Sequence, residues 1–264
     1  MNLLITGAAS GIGAAATRQA LAQGHTVIAA DLNEAALAQQ HPDQDRLHRR
    51  GLDVSRQGSW DALLQWTDQQ DWAIDALLNI AGVLRSGATG ELSEADIALQ
   101  LDVNVKGVML GTNALAARMK ARGTGHIINV GSVASLVAAP GITVYAASKF
   151  AVRGFSIAAA GDLREHGVAV SLVGPGPVKT AMLDQQRDDP NAALTFSGGG
   201  ALTPEQVAEA ILGPVMKKRP LEYYLPRGDA WQAKLANIWP AFLLRQVRRA
   251  RERGLKQFHD PNFE

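Results

Sequence analysis

The fold is decided by residues 1–31, which read MNLLITGAASGIGAAATRQALAQGHTVIAAD. An apolar run at residues 3–6 ends in a glycine-rich turn, and the alanine-rich stretch at 12–23 predicts a helix. The run HTVIAA then predicts a second strand, which ends at Asp31. Strand, turn, helix and strand in this order form the βαβ unit of a parallel sheet.

The same alternation continues along the chain. The pattern predicts strands over 47–54, 76–79, 126–130 and 168–173, and helices over 58–69, 95–122 and 148–165. Continuous apolar strands that alternate with helices indicate a parallel sheet covered on both faces. We therefore expect one doubly wound α/β domain of the Rossmann type over residues 1–264.

Composition narrows the class of protein. The chain has 264 residues and a formal net charge of +1, so it shows no general preference for polyanions. It has no cysteine, which excludes disulfides, thiol catalysis and thiolate metal sites, and its scattered histidines predict no metal site. The N-terminus does not look like a secretory signal, and no run approaches the roughly 20 apolar residues of a membrane span. We expect a cytoplasmic enzyme.

The first turn has the spacing TGxxxGxG over residues 6–13. Glycines allow a backbone to approach a pyrophosphate closely, and the N-terminus of the next helix offers free N–H groups. Tight turns of this kind also occur without a nucleotide, but the βαβ context favours a dinucleotide site. The predicted cofactor contacts in this turn are Gly7, Ser10, Gly11, Ile12 and Gly13.

Asp31 ends the second predicted strand. A carboxylate at this position can accept hydrogen bonds from the adenosine ribose hydroxyls, and its charge repels a 2′-phosphate. Neither the turn nor the neighbours of Asp31 contain Arg or Lys. This pattern favours NAD over NADP. The alternative is that Asp31 only caps a helix that starts near Asn33.

A tyrosine and a lysine four residues apart, Tyr145 and Lys149, share one helix face. A nearby ammonium, together with the cationic nicotinamide, stabilises tyrosinate and lowers its pKa, so that tyrosine can act as a base. Ser132 follows the strand HIINV, where its hydroxyl can polarise a substrate oxygen. Taken singly, Tyr145 and Lys149 also fit a solvated helix face, and Ser132 also fits a serine in a turn.

Six features occur in order along the chain: TGxxxGxG, Asn79-Ile80-Ala81-Gly82, Asn104, Ser132, Tyr145-x-x-x-Lys149 and the run from Pro175 to Thr180 (PGPVKT). Together they resemble the short-chain dehydrogenase/reductase family over roughly residues 1–185. The resemblance implies an NAD(H)-dependent oxidoreductase that interconverts a secondary alcohol and a ketone by hydride transfer. Ile80 and Gly131 depart from residues common in the family, but neither departure removes a catalytic group.

The resemblance also implies individual roles. Tyr145 is the general acid/base, Ser132 orients and polarises the substrate oxygen, and Lys149 binds the nicotinamide ribose and lowers the Tyr145 pKa. Asn104 supports a water in a proton relay, or else is an asparagine packed inside a helix. The remaining implied contacts are Asp53 and Val54 at the adenine, Asn79, Ala81 and Gly82 at the cofactor floor, and Pro175, Gly176, Val178 and Thr180 at the nicotinamide end. For Asp53 and Val54 a simple strand-end turn is the alternative.

Two segments lie beyond these motifs. Residues 182–204 hold Met182, Leu183, Leu194 and Phe196 with glycines at 198–200, which predicts either a substrate lid or a disordered surface loop. An apolar lid favours a hydrophobic or cyclic alcohol as substrate. The resemblance further implies a homodimer or homotetramer built on helices near 103–121 and 148–165.

The second segment, residues 229–256, is amphipathic and basic. Its apolar residues recur at helical spacing with a break at Pro240: Trp231, Leu235, Ile238, Trp239, Phe242, Leu243 and Val247. The basic cluster is Arg245, Arg248, Arg249, Arg251, Arg253 and Lys256, against the single acid Glu252. We expect this helix to pack on its own domain; peripheral contact with an anionic membrane is the alternative. No nucleic-acid motif accompanies the cluster, so no nucleic-acid partner is expected.

Two other functions stay open at this point. One is a non-catalytic protein that senses NAD or binds a membrane. The other is a dinucleotide-dependent epimerase or dehydratase, which can use the same Tyr and Lys pair.

Overall fold

The computed structural model describes residues 1–226, 228, 233 and 240–263. Seven strands of this part form one sheet in the order β3-β2-β1-β4-β5-β6-β7, with every neighbouring pair parallel. The strands are β1 (Asn2–Thr6), β2 (Thr26–Asp31), β3 (Leu47–Gly51), β4 (Ala76–Asn79), β5 (Gly125–Val130), β6 (Val168–Pro175) and β7 (Glu222–Leu225).

Helices connect the strands and cover both faces of the sheet, as predicted. They are α1 (Gly11–Ala22), α2 (Glu34–Gln40), α3 (Gln57–Gln69), α4 (Glu94–Leu101), α5 (Gly107–Arg122), α6 (Thr143–Arg164), α7 (Ala181–Asp184), α8 (Pro204–Ala210), α9 (Met216–Lys218) and α10 (Pro240–Lys256). A π-helical turn, Asp102–Lys106, joins α4 to α5, so the predicted long helix is nearly continuous. The doubly wound Rossmann-type architecture is confirmed.

The hydrophobic core has one layer on each side of the sheet. Leu3 and Ile5 of β1 pack in the layer that contains α1 and α8, whereas Leu4 packs in the layer that contains α3, α5 and α6. All three side chains are fully buried. Burial on this scale stabilises a fold by about 1.5–3 kcal/mol for each large aliphatic side chain.

The strand order reverses at β1, which lies between β2 and β4. The buried Thr6 hydroxyl accepts hydrogen bonds from the backbone N–H groups of Ile80 (3.0 Å) and Ala81 (3.2 Å). These bonds hold the ends of β1 and β4 together. In parallel sheets, ligands bind in the crevice above such a switch point.

The structure differs from the sequence pattern in several element bounds. β3 ends at Gly51 because the Asp53 carboxylate accepts from the Ser55 backbone N–H (2.9 Å) and turns the chain. α6 begins at Thr143, five residues before the predicted start, so Tyr145 lies in its first turn. The pattern did not predict α8 or β7, which are short elements.

The carboxyl-terminal helix α10 begins at Pro240, where the sequence predicted a break. Trp231, Leu235, Ile238 and Trp239, which belong to the predicted apolar face, lie outside the described residues. Among the described helices, none has the length and hydropathy that a membrane crossing requires.

Candidate active site

A cavity of about 800 Å³ follows the carboxyl edge of the sheet, from the turn after β1 to the loop after β6. The structure brings most of the predicted site residues to its surface: Gly7, Ser10, Gly11, Ile12, Gly13, Asp31, Asp53, Val54, Ala81, Gly82, Ser132, Tyr145, Lys149, Pro175, Gly176, Val178 and Thr180. Two predicted residues, Asn79 and Asn104, do not line it. We call the end that contains Asp31, where the sequence predicts the adenosine, the adenosine end, and the end that residues 182–204 border, where it predicts the substrate, the substrate end.

The glycine-rich turn contains two backbone contacts that are too close for any residue other than glycine. Gly7 has φ +70°, and a Cβ on it would lie 2.8 Å from the Ala81 Cα atom. A Cβ on Gly13 would lie 2.1 Å from the Gly7 carbonyl oxygen. The side chain of Ser10, the residue that precedes α1, makes no capping hydrogen bond. The first N–H groups of α1 therefore have no capping side chain at the point where a phosphate would bind.

Asp31 lies at the adenosine end of the cavity. One carboxylate oxygen accepts from the Ala9 N–H (3.0 Å) and the other from the Asn33 N–H (2.9 Å). The alternative that Asp31 caps the next helix is wrong, because Asn33 caps α2 through its own side chain, which accepts from Ala36 N–H (3.0 Å). Each oxygen of Asp31 retains a lone pair for a further donor.

Asp53 and Val54 border the same end. The Asp53 carboxylate accepts from both the N–H (2.9 Å) and the hydroxyl (2.6 Å) of Ser55, so it shapes the turn as well as the cavity. The Val54 carbonyl accepts from the Trp60 indole N–H (2.9 Å). Asp53 and Val54 can therefore form a strand-end turn and also contact a cofactor, as the two alternatives from the sequence propose.

Three of the four predicted catalytic side chains, those of Ser132, Tyr145 and Lys149, share one wall of the cavity. Lys149 lies one helical turn after Tyr145 on α6, and its ammonium nitrogen is 5.5 Å from the centroid of the tyrosine ring. The same ammonium donates to the Val130 carbonyl (3.1 Å) at the end of β5. Ser132 caps the short 3-10 helix Val133–Ser135, and its hydroxyl accepts from the Ala134 N–H (3.1 Å).

Burial dominates the protonation of this pair. Desolvation of the phenolate raises the pKa of Tyr145 to about 12, and a side-chain hydrogen bond with Ser132 only partly opposes it. Desolvation of the ammonium lowers the pKa of Lys149 to about 8. That Lys149, together with a cationic nicotinamide, lowers the pKa of Tyr145 stays a prediction.

Asn104 lies in the π-helical turn and is fully buried. Its amide oxygen accepts from the Val83 N–H (2.8 Å), and its amide nitrogen donates to the Val83 carbonyl (2.8 Å) and the Ser148 hydroxyl (3.1 Å). Ser148 in turn donates to the Tyr145 carbonyl (2.7 Å). These contacts match the packed alternative and connect Asn104 to the first turn of α6. A role in a proton relay stays a prediction.

Asn79 is the last residue of β4, and its side chain points into the core beneath the cavity. Its amide nitrogen donates to Asn129 (2.9 Å) and Thr112 (3.4 Å). A Cβ on Gly111 of α5 would lie 2.8 Å from the side-chain oxygen of Asn79, so α5 passes close to this side chain. Asn79 therefore joins β4, β5 and α5, and supports the cavity floor from below without lining it.

The predicted lid, residues 182–204, is folded and forms one side of the cavity; we call it the substrate wall. It contains α7 from its second residue onward and the 3-10 helix Pro190–Phe196. Met182, Leu183 and Leu194 line the cavity as expected, whereas Phe196 is fully buried behind the wall. No motif in the sequence singled out the other residues that line the cavity here, which include Leu84, Leu99, Val103, Val137, Ile142, Gln186 and Thr195.

Fold and cavity together define a dinucleotide-binding oxidoreductase, and comparison with known proteins identifies the family. A family model described as short chain dehydrogenase matches residues 1–191. The chain belongs to this family. It is similar in structure to a serine dehydrogenase complexed with NADP+, with a TM-score of 0.77 and 32% identity, over 85% of this chain and 94% of that one.

Individual relatives differ in substrate and cofactor. The chain is 34% identical to a cyclopentanol dehydrogenase of Comamonas sp. over 218 residues, which cover 80% of this chain and 87% of the relative. It is 36% identical to an NADP-dependent 3-hydroxy acid dehydrogenase of Escherichia coli over 217 residues, again 80% and 87%. A short chain dehydrogenase/reductase from Burkholderia phymatum, solved in complex with NAD, is similar in structure with a TM-score of 0.81 and 27% identity, over 92% of this chain and 94% of that one.

Proposed function

We propose that this protein is an NAD-dependent dehydrogenase that interconverts a neutral, hydrophobic secondary alcohol and its ketone. One observation carries the proposal. Ser132, Tyr145 and Lys149 lie on one wall of the cavity, between the glycine-rich turn and an end lined mainly by apolar side chains. A substrate in that end would place its oxygen beside Ser132 and Tyr145 and its carbon beside the nicotinamide.

The preference for NAD rests on Asp31. Its carboxylate lies at the adenosine end with no Lys or Arg among the described residues that line this end. A 2′-phosphate there would meet a negative charge without compensation, whereas ribose hydroxyls can donate to the carboxylate. The E. coli relative uses NADP, so family membership alone does not decide the cofactor.

The class of substrate follows from the charges around the cavity. Among the described residues, the charged ones that line it are Asp31, Asp53 and Lys149. The first two are at the adenosine end, and Lys149 already donates to the Val130 carbonyl. A carboxylate or sulfonate on the substrate would be buried without a cation, which costs several kcal/mol. The remaining polar side chains at the substrate end are neutral.

The proposed mechanism assigns one step to each side chain. When bound, the nicotinamide accepts or returns the hydride. In the direction of oxidation, the Tyr145 phenolate removes the proton of the substrate hydroxyl, and in reduction the Tyr145 hydroxyl gives a proton to the carbonyl oxygen. Ser132 donates to the same oxygen, and its own position is fixed by the Ala134 N–H.

Burial by itself favours the neutral phenol, because desolvation raises the pKa of Tyr145 to about 12. A protonated Lys149 and a positively charged ring beside the phenol both favour the phenolate. We therefore propose that Tyr145 becomes an effective base only once the cofactor site is filled. Lys149 supports this by keeping its ammonium next to the ring through its bond to Val130.

A steady-state screen tests the proposal. Purified protein is incubated with NAD+ or NADP+ and a panel of secondary alcohols, while formation of the reduced cofactor is followed by absorbance, with Tyr145→Phe measured in parallel. NAD-selective turnover of neutral alcohols, lost in the variant, is expected. Turnover with NADP+ alone would overturn the Asp31 argument. NAD+ binding without turnover of any alcohol in the panel would favour a sensing protein instead.

Assembly into a homodimer or homotetramer is part of the same proposal. On α6, the small residues Ala147, Ala151, Gly154 and Ala158 are exposed at helical spacing. Such a face allows a second helix to pack closely. Sedimentation equilibrium of the wild-type protein measures the oligomeric state directly.

A further inference from the structure

The carboxyl-terminal segment, residues 254–263, packs against the outer side of the substrate wall. The ring of Phe196 lies 5.1 Å from that of Phe258 and 5.3 Å from that of Phe263, measured between centroids. Leu183, which lines the cavity, belongs to the same buried cluster. The aromatic rings of the segment therefore support a residue that a substrate would contact.

Arg187 fastens the segment to the wall. Its guanidinium donates to the carbonyl of Phe258 (2.5 Å) and to the carbonyl of Phe263 (2.8 Å), and also to the Asp184 carboxylate (3.1 Å). Both backbone acceptors belong to the segment, whereas Asp184 belongs to the wall. A guanidinium can make three such bonds at once because it carries five donors in a fixed plane.

The backbones of the two segments also meet directly. The Ala201 N–H donates to the Asn262 carbonyl (2.9 Å). A Cβ on Gly254 would lie 1.7 Å from the Ala193 carbonyl oxygen, so only glycine allows α10 to approach the wall this closely. The contact thus extends from the end of α10 to the last described residues.

The residue before Arg187 points the opposite way, into the wall. Gln186 is 4% exposed and lines the cavity. Its amide nitrogen donates to the Met182 carbonyl (2.9 Å), and its amide oxygen accepts from the Thr195 hydroxyl (2.9 Å). Met182 and Thr195 both line the cavity as well. A shift of Arg187 would therefore move the groups that form the substrate end.

We propose that the carboxyl-terminal segment is a specificity element, and that Arg187 is a positioning residue that sets the shape of the substrate end through it. The proposal rests on the proposed function, because it concerns the alcohol that this end accepts. The family model matches residues 1–191, so the segment lies outside the range that this model covers.

The kinetic test compares Arg187→Met and Phe263→Ala with wild type, on a bulky cyclic secondary alcohol and on 2-propanol. We expect KM for the bulky alcohol to rise about tenfold, as is typical for lost apolar contacts in a pocket. KM for 2-propanol and for NAD+ should change less than about twofold. Arg118→Met, which removes the surface ion pair with Asp68, is the matched control. Equal changes for both alcohols, or none, would overturn the proposal.

A second measurement does not depend on turnover. Hydrogen exchange of the ligand-free protein reports the amide of Ala201, which donates to the segment, and that of Ser197, which donates to Leu194 within the wall. Faster exchange at these amides in Phe263→Ala, with the β-sheet unchanged, is the expected result. Unchanged exchange would contradict the support role even if no alcohol substrate were found. Phe263→Leu provides a milder variant if Phe263→Ala does not fold.

Discussion

Two regions of the molecule are built in different ways. One is the cofactor half, residues 1–181, and the other is the substrate wall together with the carboxyl-terminal segment. In the cofactor half, backbone geometry decides the structure: Gly13 fits against Gly7 because neither has a side chain. In the wall, contacts between side chains and distant parts of the chain decide the structure. For example, Arg187 donates hydrogen bonds to the carbonyls of Phe258 and Phe263.

This difference separates chemistry from selectivity. The cofactor half places Ser132, Tyr145 and Lys149 by short-range features, namely the end of β5 and one turn of α6. The wall supplies the surface that meets the rest of the substrate. Changes in the first region should therefore alter turnover or cofactor binding, whereas changes in the second should alter which alcohol is accepted.

The largest effect is expected for Tyr145→Phe, which removes the proposed acid/base and leaves the ring. We expect kcat to fall about 1000-fold, within the range typical of general acid/base catalysis. Affinity for NAD+, measured by isothermal titration calorimetry, should stay within about threefold of wild type. A variant that keeps more than a tenth of wild-type kcat would place the acid/base elsewhere.

Gly13→Ala should remove cofactor binding, because the added Cβ would lie 2.1 Å from the Gly7 carbonyl oxygen. We expect NAD+ affinity to fall roughly 100-fold as the turn opens and loses its fit to the pyrophosphate. Gly58→Ala is the matched control, since Gly58 is exposed in α3 and a Cβ there meets nothing within 4 Å. Equal affinities in the two variants would show that the turn does not hold the dinucleotide.

Acid should destabilise the cofactor half through His126 on β5. Burial, followed by the nearby charge of Arg219, lowers the pKa of His126 to about 4. Unfolded chains bind this proton near pH 6.5, so stability is lost as pH falls from 6.5 to 4. At pH 5 this loss amounts to ~2 kcal/mol.

Urea unfolding of wild type and His126→Gln at pH 7 and pH 5 measures the effect. The variant should lose less stability between the two pH values. His259→Gln is the control, because His259 is exposed in the carboxyl-terminal segment, where it contacts Asp188. A loss that is the same in wild type and His126→Gln would assign the acid sensitivity to other groups.

Asp31→Ser should give the smallest of these effects and should change selectivity only. Removing the carboxylate takes away the repulsion of a 2′-phosphate and the acceptor for ribose hydroxyls. We expect the NAD+/NADP+ ratio of kcat/KM to fall about tenfold, mainly through KM. An unchanged ratio would show that Asp31 serves only the backbone of Ala9 and Asn33.

Short-range patterns in the sequence predicted most of the cofactor half. The alternation of apolar strands and helices predicted the sheet, and the glycine spacing with Asp31 predicted the adenosine end of the cavity. Side-chain direction was harder to predict. Asn79 was expected at the cavity, but it bonds to Asn129 in the core, and nothing in the sequence shows which side of the strand end it faces.

The substrate end could be predicted only as an apolar lid. Its shape depends on pairs such as Phe196 with Phe263 and Ala201 with Asn262, whose members are far apart in the chain. No local period or turn signal marks such pairs. The burial of Gln186 in an otherwise apolar end likewise follows from its two bonds inside the wall, which exist only once the wall has folded.

The most direct test of the account compares two substrates that differ by one charge. The neutral secondary alcohol preferred in the screen is measured beside its carboxylate-bearing analogue, with NAD+ and wild-type protein. Because Lys149 is the only cation among the described residues that line the cavity, kcat/KM should be at least about 100-fold higher for the neutral alcohol. Equal or better turnover of the carboxylate would show that a cation serves the substrate end and would contradict the proposed substrate class.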